Sequence, residues 1–237
     1  MKRIIIIIMG VLLLMSGNLT NAKKSPSELL QGVEHFKQST LRMQKDGKVI
    51  YFDPYQVPKA WGDGDAVFVT HPHGDHYSPQ DIKKVLKPGG TLVITADMAG
   101  KAEADGFKKV LTVAPDKEYT AEGVSFKAVP AYNTNKPYHA RNSNWVGYLV
   151  SLAQGSYYFA GDTDLIPEMK DIKADVVFLP VGGTYTLTAE EAARAANLIK
   201  PAAAVPIHFG DVVGSRADAE KFISLLDQGI EGVIIKK

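Results

Sequence analysis

The run His71-Pro-His73-Gly-Asp75-His76 places four groups able to ligate a cation within six residues. Side chains two apart in an extended segment point the same way. His71 and His73 can therefore reach one ion from the end of a strand. Gly74 lets the chain turn sharply, and Asp75 and His76 then face a second point nearby. Imidazole and carboxylate are ligands for zinc, manganese or iron, and the chain contains no cysteine to offer a thiolate instead. Asp162 follows Ala160-Gly161 at the end of an apolar run, and His208 directly follows another, Ala203 to Ile207. A carboxylate emerging beside such a cluster can bridge two cations. Taken singly, Asp162 reads as an ordinary Gly-Asp turn and His208 as a core or turn histidine. The histidine cluster is what raises both to candidates.

Stepping outward, short β-branched runs alternate with helical patterns. Strands are expected over Lys48–Phe52, Ala66–Thr70, Thr91–Thr95, Lys109–Val113, Val124–Val129, Asp175–Leu179, Ala203–Ile207 and Val233–Ile235. Val146–Leu152 and Ser156–Ala160 flank Gln154-Gly155 as a hairpin. Ser78 is placed to cap a short helix over Gln80–Leu86. Thr188-Ala-Glu-Glu191 is a capping box opening an alanine-rich helix to Ile199. Arg216–Leu226 reads as a last amphipathic helix. Two sheets packed face to face with helices outside accommodate this pattern. Residues 23–28 read as a polar lead-in, and His35, in a segment with no motif, as a surface residue.

The N-terminus has a different character. Lys2 and Arg3 precede the apolar run Ile4–Met15, and Thr20-Asn21-Ala22 ends a small-residue stretch. This is the layout of a secretory signal peptide, and the run is short of the roughly 20 apolar residues of a membrane span. We expect residues 1–22 to be removed and residues 23–237 to form one exported, periplasmic or secreted, domain with no stable membrane span. An uncleaved anchor is the alternative. Losing Lys2 and Arg3 takes the basic residues from 27 to 25, against 26 acidic ones. This near-neutral balance lacks the basic excess of a nucleic-acid binder, so a small-molecule substrate is expected.

With these residues in view, the sequence resembles the metallo-β-lactamase fold superfamily. His71-x-His73-x-Asp75-His76 is similar to its defining motif, Gly161-Asp162-Thr163 to its bridging-aspartate motif, and Pro206-Ile207-His208 to its last histidine. Within it the chain resembles the small single-domain metal-dependent hydrolases, relatives of L-ascorbate-6-phosphate lactonase and N-acyl phosphatidylethanolamine phospholipase D. The resemblance implies an α/β fold, a four-layer αβ/βα sandwich of two mixed β-sheets. It implies two divalent metal ions, zinc or alternatively manganese. His71 and His73 would hold the first, Asp75, His76 and His208 the second, with Asp162 between them. One position departs from the pattern. Where a further histidine would serve the first metal, the chain reads Tyr132-Asn133. His139, six residues on, is expected within reach of that metal directly or through one water, and Asn133 is the other candidate.

The chemistry expected of such a site is hydrolysis of an ester, lactone or phosphodiester by a metal-activated hydroxide. Asp75 and Asp162 are the candidate catalytic carboxylates. Tyr132, Tyr138 and His139 are candidates for protonating the leaving group. Asn133, Tyr138, Lys136, Thr184 and Tyr185 are expected to contact substrate, with Lys136 and Arg141 drawing an anionic group. Iron-dependent redox chemistry on the same fold, and a non-catalytic metal-binding module, are the competing readings.

Overall fold

A computed structural model describes residues 24–236. The expected signal peptide, residues 1–22, lies outside the described residues. In chain order the elements are α1 (Pro26–Leu30), β1 (Val33–His35), β2 (Leu41–Lys45), β3 (Lys48–Phe52), β4 (Gly64–Phe68), α2 (Pro79–Val85), β5 (Leu86–Thr95) and α3 (Ala99–Ala104). They continue with β6 (Val110–Val113), β7 (Glu118–Ala121), β8 (Val124–Pro130), β9 (Val146–Leu152), β10 (Gly155–Phe159) and β11 (Val176–Pro180). The last are α4 (Ala189–Ile199), β12 (Ala203–Ile207), α5 (Arg216–Ser224) and β13 (Glu231–Gly232).

The strands form two sheets, in the orders β1-β2-β3-β4-β5-β6 and β13-β12-β11-β10-β9-β8-β7. Each is mixed. In the first, β1 to β3 are antiparallel and β3 to β6 parallel. In the second, β7 to β10 are antiparallel and β10 to β13 parallel. Alternation along the strands sorts side chains between faces. Phe52, Phe68, Tyr148, Phe159 and Phe178 point into the core between the sheets. Their neighbours Tyr51 and Val67 pack beneath α2 and α3 with Ile82, Val85 and Ala102. On the far side Val177, Leu179 and Ala204 pack beneath α4 and α5 with Ala192, Ala196 and Phe222. The parallel strands are covered on both faces, which is why they read as unbroken apolar runs. The result is the four-layer αβ/βα sandwich.

Helix starts follow the caps. The Ser78 hydroxyl accepts from the Asp81 N–H, and Thr188 and Glu191 complete a reciprocal box at α4. Several expectations are corrected. The polar lead-in is α1, closed by a Ser25–Glu28 capping box, and Leu29 enters the inter-sheet core. The strands β1, β2 and β7 carry too few alternating apolar residues to stand out. The closing strand is Glu231–Gly232 rather than Val233–Ile235, although the Val233 N–H still donates to the Ala204 carbonyl at 3.0 Å. His35 is buried at 2 % exposure, with Nε2 2.8 Å from the Gln38 carbonyl.

Candidate metal centre

The candidate residues meet where the parallel strands end, the usual location of sites in such sheets. His71 follows β4, Asp162 follows β10 and His208 follows β12, while Asn133 and His139 lie in the loop between β8 and β9. Two glycines make the approach possible. Gly147 lies against β10 so closely that a Cβ there would sit 2.5 Å from the Ala160 carbonyl oxygen. Gly161 adopts φ +65°, and a Cβ would meet Thr70 Cγ2 at 3.0 Å. Asp162 is thereby turned toward the histidine cluster.

The ligating atoms form overlapping groups: His71, His73 and His139; His71, His76 and Asp162; and Asp75, His76 and His208. His71 Nε2 lies 3.1 Å from His73 Nδ1. Asp162 Oδ2 lies 3.3 Å from His208 Nε2, 3.4 Å from His139 Nε2 and 4.0 Å from His71 Nε2. Asp162 Oδ1 is 3.4 Å from His76 Nε2, and Asp75 Oδ2 is 3.6 Å from both His76 and His208 Nε2. Nitrogens bonded at about 2.0–2.1 Å to one tetrahedral ion lie roughly 3.3 Å apart. The observed separations are those of ligand-shell edges. His76 Nε2, His139 Nε2 and Asp162 Oδ1 are buried with no hydrogen-bond partner. A buried polar atom without a partner is costly, and divalent cations held in these groups would satisfy all three, so the donor set fits such ions.

The outer nitrogens of His71, His76 and His139 are tied back to the protein. The Thr70 hydroxyl donates to Asp53 Oδ2 at 2.8 Å and accepts His71 Nδ1–H at 2.9 Å. Asp53 Oδ2 also accepts His76 Nδ1–H at 2.7 Å. Asn133 Oδ1 accepts both the backbone N–H (3.0 Å) and Nδ1–H (3.1 Å) of His139. Each bond places a proton on Nδ1 and aims Nε2 at the cluster, the usual way a ligating histidine is oriented.

The two halves of the site differ in charge state. Burial, with the nearby His76 charge, pushes His71 well below the ordinary imidazole value and lowers His73 as well. Burial also lowers His139. Burial alone would lower His76, but Asp162 and Asp53 hold it well above its usual value. Burial opposes a charge on His208 too, yet Asp162 and Asp75 carry it up to about 9. Those imidazoliums in turn hold Asp162 and Asp75 well below the carboxylate range against their burial.

The family profile described as "Beta-lactamase superfamily domain" matches residues 32–208. The chain belongs to that superfamily. It is 33% identical over 217 residues to a metal-dependent hydrolase of Methanopyrus kandleri, covering 84% of this chain and 94% of that one. It is 34% identical over 204 residues to one of Thermus thermophilus, covering 81% and 90%. A solved structure described as a metal-dependent hydrolase of Parabacteroides distasonis superposes with TM-score 0.72 at 33% identity, covering 86% of this chain and 91% of that chain. The protein is a metal-dependent hydrolase of the superfamily's fold.

Of the expected substrate-contacting residues, Tyr138 and Tyr185 line a cavity of about 230 Å³ with His73, Asp75, His139, Asp162, His208 and Val212. Thr184 is exposed and outside that lining. Lys136 is turned away, its ammonium on Asp164 and, at 2.8 Å, on the Thr186 carbonyl. Arg141 pairs with Glu168, and the Tyr132 hydroxyl also donates to Glu168. Asn133 stands behind His139.

Three neighbours of the site were missed by sequence reasoning. Asp53 reads only as the residue ending β3. Gln38 is fully buried at φ 49°, and its amide donates to Asp75 Oδ2 at 3.3 Å while accepting the Val212 N–H at 3.2 Å. The Trp145 ring packs on His71 and His73, with centroids 5.0 and 5.1 Å away, and its indole N–H donates to Asp97 at 2.8 Å. Asp53 before a proline at a strand end was the one signal available.

Proposed function

We propose that the protein binds two divalent cations, zinc or manganese, and hydrolyses an ester, lactone or phosphodiester bond in a small molecule. His71, His73 and His139 hold the first ion; Asp75, His76 and His208 hold the second; Asp162 lies between them. The single observation carrying this reading is that all these ligating atoms stand at ligand-shell separations, three of them buried without partners. What the cations supply when bound is a water acidified toward neutral pH and a polarised carbonyl or phosphoryl oxygen. The chain's own residues do the rest. Asp162 keeps the two halves of the site together. Asp75, braced by Gln38, faces the cavity and orients the attacking water. Among the candidate acids, Tyr138 lines the cavity, whereas the Tyr132 hydroxyl is spent on Glu168 and His139 Nδ1 on Asn133. On this reading Tyr138 protonates the leaving group.

The test is turnover of an ester, a lactone and a phosphodiester, before and after chelation and after restoring zinc or manganese. At least one bond type is expected to be cleaved only by the metal-loaded protein, and Asp162→Ala to lose that activity. Turnover indifferent to the chelator contradicts the reading. Export is also proposed, from Lys2, Arg3 and the apolar run ending at Met15. The mass of the mature N-terminus in the exported fraction should place cleavage near Ala22; a full-length cytosolic product rules it out.

A further inference from the structure

The reach of the site is set by its mouth. Among the described residues, the large hydrophobic side chains left exposed are Tyr138 (44 %), Leu198 (48 %), Val212 (50 %) and Leu225 (43 %). Two of these four, Tyr138 and Val212, flank the cavity from different loops. Exposed apolar surface gathered at a pocket marks a binding surface, whereas single exposed residues elsewhere need no explanation. The flanks are also held in place. Tyr138 packs edge-on against Tyr185, with ring centroids 4.7 Å apart, and the Tyr185 carbonyl accepts the Asn133 amide at 2.9 Å. The Val212 N–H is held by Gln38 Oε1. Prepositioned walls bind without the entropic cost of ordering them.

Charge points the same way. Among the described residues, no lysine or arginine lines the cavity. The basic residues close in sequence are committed: Lys136 to Asp164, Arg141 to Glu168 and Lys37 to Asp211. Beyond the ligating groups themselves, no charged side chain in the lining is placed to recognise an anionic group on the part of the substrate remote from the cations. The volume of about 230 Å³ is below the roughly 300–1,000 Å³ of pockets for drug-sized ligands. It suits one compact group beside the scissile bond.

We propose that Tyr138, Tyr185 and Val212 form an apolar clamp, and that the substrates are small uncharged carboxylic esters or lactones whose acyl part fills it. The proposal rests on the hydrolase reading above and narrows it. In the reaction the carbonyl C–O bond breaks, water oxygen joins the carbonyl carbon, and the water protons end on the carboxyl product and the leaving alcohol.

The test uses the metal-loaded protein with p-nitrophenyl acetate, butyrate and hexanoate, the anionic mono-p-nitrophenyl succinate, and bis(p-nitrophenyl) phosphate. kcat/KM is expected to rise by about two- to fourfold per methylene from acetate to hexanoate, the effect of burying each CH₂. The neutral butyrate should exceed the similarly sized succinate ester and the phosphodiester. Tyr138→Ala and Val212→Ser should flatten the chain-length dependence. Leu198→Ser, on α4 and away from the cavity, should preserve it. A flat dependence in the parent protein, or preference for the anionic ester or the phosphodiester, overturns the proposal. A second arm measures binding of acetate, butyrate and hexanoate to the metal-loaded protein by calorimetry. Affinity rising with chain length without turnover of any substrate supports the clamp and contradicts the hydrolase reading. Turnover with affinity independent of chain length leaves that reading standing and overturns the clamp.

Discussion

Replacing Asp53 by asparagine is expected to weaken both metal positions at once, although Asp53 contacts neither. Its carboxylate receives three donors: the Thr70 N–H at Oδ1 (2.8 Å), and the Thr70 hydroxyl (2.8 Å) and His76 Nδ1–H (2.7 Å) at Oδ2. An asparagine has one oxygen and one NH₂ to put in their place. With the NH₂ toward Thr70 N–H, two donors face each other in a fully buried site, which costs about 1–3 kcal/mol. With the NH₂ at the other position, the Thr70 hydroxyl must accept from it and donate to His71 Nδ1. His76 Nδ1 must then accept as well. Both histidines would carry their proton on Nε2, where the lone pair is needed for a cation. Loss of such supporting bonds typically lowers metal affinity by about 10–100-fold. Here it should affect His71 in one half of the site and His76 in the other. The assay is zinc affinity by competition with a chromophoric chelator, with thermal unfolding as a check that the variant folds. A folded Asp53→Asn protein that binds both ions as tightly as the parent refutes the tautomer argument.

Asn133→Ala should act on one half only, lowering first-ion affinity by about 10–100-fold through His139 while leaving the second ion bound. Equal loss at both positions would contradict its placement. Proton linkage should appear at the second position. Asp162 and Asp75 raise His208 to about 9 against its burial, so at pH 7 a cation must displace its proton. Apparent affinity there should rise with pH and level off above about 9, while the first, neutral cluster responds less; calorimetry in buffers of different ionisation enthalpy reads the proton release, and its absence counts against the charge assignment. Gly147→Ala should force β9 away from the Phe159 and Ala160 carbonyls, which would lie 2.6 and 2.5 Å from the new Cβ. Overpacking of this kind costs about 1–3 kcal/mol, or roughly 2–4 °C of Tm per kcal/mol at this chain length, and an unchanged Tm would refute the close approach.

What was legible in the sequence divides along physical lines. Strands buried on both faces, such as Val176–Pro180 and Ala203–Ile207, announce themselves as apolar runs. The capped helix Ala189–Ile199 announces itself through Thr188 and Glu191. The elements lost were those whose burial depends on distant partners. β2 hides Arg42 and Lys45 in buried positions because Glu34, Asp63 and the Glu28 carbonyl receive them. No local pattern reveals that. The dense histidine motif was legible because its residues are neighbours in sequence. The groups that orient it were not, because Asp53, Asn133 and Gln38 acquire their meaning only when strand ends converge. Lys136, expected to attract substrate, proved to be occupied by Asp164, a partner 28 residues away.

The central claim is that the two ligand groups joined by Asp162 hold two ions. Elemental analysis of the chain, equilibrated with zinc or manganese and freed of excess, tests it most directly. Two ions per chain are expected, falling below two in Asp162→Ala as both positions lose a ligand. One ion or none in the folded parent chain, or two fully retained ions in Asp162→Ala, would contradict the account.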